Sequence, residues 1–75
     1  MKIKITKTFE KSLKKLHRVQ IKLVEDAIDK IARNPGLGEL KKGDLASVRV
    51  YKFRMNHQRI LLAYLCRGKE IILLS

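Results

Sequence analysis

Between residues 48 and 64, VRVYKFRMNHQRILLAY, a cation keeps returning: Arg49, Lys52, Arg54 and Arg59. The same stretch alternates as strands do, and successive side chains of a strand point to opposite faces. Lys52 and Arg54 therefore share a face. Arg59 opens the next strand across a short turn and can approach them, giving three cations within a phosphate-sized region. Fixed cations so gathered serve a polyanion. Solvated strand-edge cations that discourage aggregation would look the same in sequence. His57 lies in the turn beside them, where an imidazole with an intrinsic pKa of about 6.5 can move protons; a solvent-exposed bystander is the plainer reading. Arg49 has the parity of Tyr51, which is read as core, and has no assigned role. Tyr64 is read as core, with base stacking as the alternative. Lys11, Lys14, Lys15 and Arg18 make a second basic surface, either an ordinary solvated helix face or one that grips RNA phosphates without reading sequence.

The rest of the composition agrees with a polyanion partner. The 75 residues carry 18 Lys and Arg against 7 Asp and Glu, for a net charge of +11. That exceeds the roughly 2–8 of an ordinary small domain. The excess runs through both halves, so the folded body itself is basic and suits nucleic acid or an acidic protein. The length allows one domain, residues 1–75. Cys66 stands alone, so there is no internal disulfide, and His17 and His57 lack metal-ligand spacing. The expectation is no metal and no cofactor. No run of 18 apolar residues is present to span a membrane, and no signal peptide is seen, which reads as cytoplasmic.

These residues need elements to position them. KIKIT (2–6) alternates as a short strand. Thr6 or Thr8 can cap a helix in which Phe9, Leu13 and Leu16 form one stripe. A second helix follows, with Ile21, Val24, Ala27, Ile28 and Ile31 as its apolar stripe. NPGLG (34–38) stops it, and Gly43-Asp44 marks another turn. Strands are expected at about 46–54, 58–65 and 69–74, joined through MNH and CRG. The order is β-α-α-β-β-β: an α+β fold with a helical hairpin on one face of a small, mainly antiparallel sheet.

The last strands are apolar on both parities: Ile60 and Leu62 against Leu61, Ala63 and Leu65, and Ile71 and Leu73 against Ile72 and Leu74. Two short helices can cover only one face. The other would expose more apolar surface than a soluble monomer tolerates, so a further segment, a second copy or a partner should cover it.

The chain resembles the RelE/ParE superfamily, the toxins of type II toxin–antitoxin modules. FEKSLKKL (9–16) is similar to the basic first helix. NPGLGELKKGDLASVRVYKF (34–53) resembles the loop that leads into the "vRv" strand. RILLAYL (59–65) resembles the strand that carries the family's arginine at Arg59. Gln58 stands where an aromatic is common. The resemblance also implies a C-terminal segment with Gly and Arg or Tyr; none follows Ser75 in this sequence, so the expectation includes a domain lacking that segment.

From the resemblance follow a cognate antitoxin as partner and three possible activities. The first is a metal-independent, ribosome-dependent mRNA endonuclease that arrests translation, with Lys52, Arg54, Arg59 and His57 as catalytic residues. Its chemistry is attack of a 2′-hydroxyl on the adjacent phosphate, which needs a base, an acid and cations around the dianionic transition state. The second is a ParE-like inhibitor of DNA gyrase, in which the cations are incidental. The third is a catalytically inactive domain that only binds antitoxin.

Overall fold

The computed structural model describes residues 2–41 and 47–75. The expected turn at Gly43-Asp44 and the expected strand start at Ala46 lie outside them.

The described chain runs β1 (Lys2–Ile5), α1 (Lys7–Lys14), α2 (Arg18–Arg33), a 3-10 turn (Pro35–Leu37), β2 (Glu39–Leu40), β3 (Val48–Met55), β4 (Gln58–Arg67) and β5 (Glu70–Leu73). The sheet order is β1-β5-β4-β3-β2. β1 pairs with β5 in parallel, and every other neighbour is antiparallel. This is the expected α+β arrangement with one addition. β2 was not foreseen, because two residues are too few to show alternation.

Thr6, not Thr8, caps α1. Its Oγ1 accepts the Phe9 N–H at 3.1 Å and donates to Leu73 O at 3.0 Å. One hydroxyl thereby starts the helix and ties it to β5. Thr6→Ala should lower stability by about 1 kcal/mol, as loss of a helix cap does, while Thr6→Ser should keep most of it. Urea unfolding of the two variants would check this. α2 begins after His17, whose backbone N–H donates to Gln20 Oε1 at 2.9 Å.

The helices present Phe9, Val24, Ala27 and Ile31 to Leu62, Tyr64, Ile71 and Leu73, with Leu13, Leu16, Ile28, Tyr51 and Phe53 packed at the margin. Tyr51 and Phe53 stack with ring centroids 5.8 Å apart. Cross-strand register fixes what lies on the reverse face. Lys52 is opposite Leu61, Val50 opposite Ala63, and Leu65 opposite both Val48 and Ile72. That face holds an apolar stripe, as its parity demands. Val50 is buried, but Leu61 is 56% exposed, and Val48, Ala63, Leu65, Ile72 and Leu74 are only partly covered.

Candidate functional site

The β3–β4 hairpin builds the cation cluster. Its turn is shorter than MNH: Met55 pairs with Gln58, leaving Asn56 and His57 alone between the strands. Both have positive φ, 52° and 67°. Two left-handed residues in a two-residue loop match the twist of a tight hairpin. Asparagine tolerates that conformation well; histidine adopts it with some strain.

This turn sets the register that puts Arg54 directly opposite Arg59. Lys52 is two residues back on the same face. Lys52, Arg54 and Arg59, with Phe53, line one shallow depression of about 270 Å³. Like charges directly across a strand pair are unfavourable. Among the described residues neither arginine has a carboxylate within ion-pair distance. Lys52 has one: Glu39 Oε2 at 3.7 Å from its Nζ, both side chains well exposed. Glu39 belongs to the short β2 and gives no sequence signal for this proximity. His57 is in the adjoining turn and is not among the residues lining the depression.

Two residues left without a firm role in the sequence hold the loop beside the site. Tyr64 is fully buried, as a core residue. Its hydroxyl donates to Pro35 O at 2.6 Å and accepts the Gly38 N–H at 2.9 Å. Arg49 faces the helix side and donates to Gly38 O at 2.8 Å. Together they hold the NPGLG segment against the sheet and so position Glu39 next along the chain. Tyr64 is a core residue, as its reading from the sequence has it, and its buried ring is not free to stack on a base.

Lys11, Lys14, Lys15 and Arg18 are all exposed. Lys11 and Lys14 belong to α1, Lys15 caps its C-terminus, and Arg18 opens α2. Lys14 is paired with Glu10 at 3.2 Å. They form a basic helix surface on different elements from the hairpin cluster. No group of three or more His, Cys, Asp or Glu with metal-binding placement occurs among the described residues. No described helix is long and apolar enough to cross a membrane.

A two-helix hairpin over one face of this sheet, with the cations of the β3–β4 hairpin on the other, is the arrangement the sequence resemblance implied. A family model described as "ParE-like toxin of type II bacterial toxin-antitoxin system" matches residues 3–75. The chain belongs to the ParE-like toxin family. No curated protein and no solved structure gives a significant match. A ParE-like toxin of a type II module implies a cognate antitoxin as its partner.

Proposed function

We propose that this ParE-like toxin is a metal-independent, ribosome-dependent mRNA endonuclease. The observation that supports it is the Arg54–Arg59 pair with Lys52 on the same face. Two guanidinium groups directly opposite one another repel, and an anion between them relieves that repulsion. A scissile phosphate is such an anion. Attack of the 2′-oxygen forms a new P–O bond, the 5′-oxygen leaves, and the products are a cyclic phosphate and a 5′-hydroxyl. The three cations hold the extra negative charge of the transition state. His57, in the adjoining turn, is assigned the proton transfers. The α1 and α2 cations would hold ribosomal RNA by its phosphates.

Purified toxin added to ribosomes carrying a defined mRNA should cut that mRNA at discrete positions without added metal. Intact transcript at saturating toxin would overturn the reading. The family's description as ParE-like favours a second reading, inhibition of DNA gyrase, for which DNA breaks appear and transcripts remain whole. Neither outcome, with antitoxin still bound, would mark an inactive antitoxin-binding domain.

His57→Gly separates two roles of one residue. Glycine adopts the positive φ without strain, so stability should rise by about 1 kcal/mol. If His57 moves the proton, cleavage should fall about 10²-fold or more in that more stable protein. Thermal unfolding and single-turnover cleavage on the same preparation would read both.

A further inference from the structure

Among the described residues, Glu39 is the one carboxylate within ion-pair range of the Lys52/Arg54/Arg59 cluster. The peptide that leads into it is pinned on both sides. Gly38 N–H donates to the buried Tyr64 hydroxyl at 2.9 Å, and Gly38 O accepts from Arg49 at 2.8 Å. Glu39 is directly opposite Val50, so it lies on the face that Val50 shares with Lys52 and Arg54.

Along β3 the rows of that face are about 7 Å apart. Nearest the turn, Arg54 is opposite Arg59. One row inward, Lys52 is opposite Leu61, which is 56% exposed. One row further, Val50 is flanked by Ala63 and Glu39. From the turn inward the face therefore offers paired guanidinium groups, an ammonium beside an apolar side chain, and a carboxylate. The contact between Glu39 and Lys52, 3.7 Å between two well-exposed groups, is of the kind that stabilises little. Glu39 is thus free to exchange Lys52 for another donor.

We propose that Glu39 selects a base in single-stranded RNA, accepting hydrogen bonds from the Watson–Crick edge of a guanine while a phosphate of the same strand lies between Arg54 and Arg59. The inference rests on the reading of that pair as an RNA phosphate site and extends it to sequence preference. An ionised carboxylate only accepts. Guanine presents two adjacent donors, the ring N1–H and the N2 amino group, and these match the two carboxylate oxygens. Cytosine and adenine each present one amino donor beside an acceptor. Uracil presents one N–H between two acceptors. Unstacked bases of single strands are read on this edge, and bonds to an ionised acceptor are the stronger kind. Leu61 gives the plane of the base an apolar surface between the two polar ends. Lys52, released when the base arrives, keeps its charge for the phosphate.

The test is titration of the full chain, labelled with nitrogen-15, with the RNAs UUGUU, UUAUU and UUIUU, where inosine (I) lacks the N2 amino group. Ribosomes are left out, and amide shifts report binding. UUGUU should bind at least about tenfold more tightly than UUAUU, as a bidentate base contact does, with UUIUU between them. The shifts should centre on Glu39, Lys52, Arg54 and Arg59. Glu39→Ala should abolish the preference while holding UUAUU as tightly as before or more so, because a negative charge is gone. Glu39→Gln, of the same size, should lose most of the preference too. Equal affinities for the three RNAs, a preference that survives in Glu39→Ala, or the absence of shifts at these residues overturns the proposal. So does Glu39→Ala tightening all three RNAs alike, which would make Glu39 only a counterion of Lys52. Binding is read without cleavage, so its failure leaves the nuclease assay standing, and intact transcript in that assay leaves the guanine preference standing.

Discussion

Gly38→Ala should lower the melting temperature by roughly 10 °C or more, the largest loss expected among Gly36, Gly38 and Gly68. A Cβ built at Gly38 lies 2.8 Å from the Tyr64 hydroxyl, 2.9 Å from its ring and 3.1 Å from the Val50 carbonyl carbon. The last of these is backbone of the central sheet and cannot swing aside. The ring is fully buried and has no space to retreat into. Overpacking of this kind costs about 1–3 kcal/mol. Moving Tyr64 also breaks its bonds to Gly38 and Pro35, and unmade buried hydrogen bonds add about 1–3 kcal/mol. For a domain of this size each kcal/mol shifts the midpoint by about 4–8 °C. Tyr64→Phe should cost about 2 kcal/mol by the second route alone. The double variant should be less damaged than the sum, because the phenyl ring no longer has a hydroxyl to collide with. Calorimetry on the three variants decides it; strict additivity would mean the two residues are not in contact as described.

Arg59→Ala should lower mRNA cleavage about 10²- to 10³-fold, the scale of losing one well-placed charge on a developing oxyanion. The same change should leave stability equal or raise it by up to about 1 kcal/mol, because it removes half of a like-charge cross-strand pair. This opposition is the useful part. A residue whose role is in folding would lose stability and activity together. Arg59→Lys should recover only part of the rate, because an ammonium keeps the charge but not the forked geometry. Single-turnover cleavage on programmed ribosomes, with denaturant unfolding of the same samples, would check both. Full cleavage by Arg59→Ala would remove the cluster from the mechanism.

Most of the fold was legible because it is local. The alternation in VRVYKFR and RILLAYL fixed the parity of Lys52, Arg54 and Arg59, and the brief turn between the strands brought them together. The turn's length was misjudged because Asn56-His57 contains no glycine, and only positive φ at both residues lets two suffice. β5 begins at Glu70 rather than at Lys69, with Gly68 at φ 59° in the turn before it. The loop was less legible. That Glu39 comes within 3.7 Å of Lys52 depends on where the NPGLG segment packs, and no periodicity describes that. A signal was nevertheless present in Arg49. An arginine on the apolar parity of a strand must find carbonyls, and an adjacent loop whose glycines leave its backbone bare can supply them. Tyr64 carried a similar hint: a buried phenol needs hydrogen-bonding partners.

The parallel pairing of β1 with β5 joins Lys2 to Glu70 and Ile5 to Leu73. The helical hairpin and the β3–β4 hairpin can form from residues near one another in sequence. The outermost pairing cannot, because its two halves are separated by almost the entire polypeptide. Contacts of such wide separation form slowly. β1 therefore gains its described sheet partner only once β5 is in place. The outermost pairing is therefore the part of the described sheet expected to close last, after both hairpins have formed.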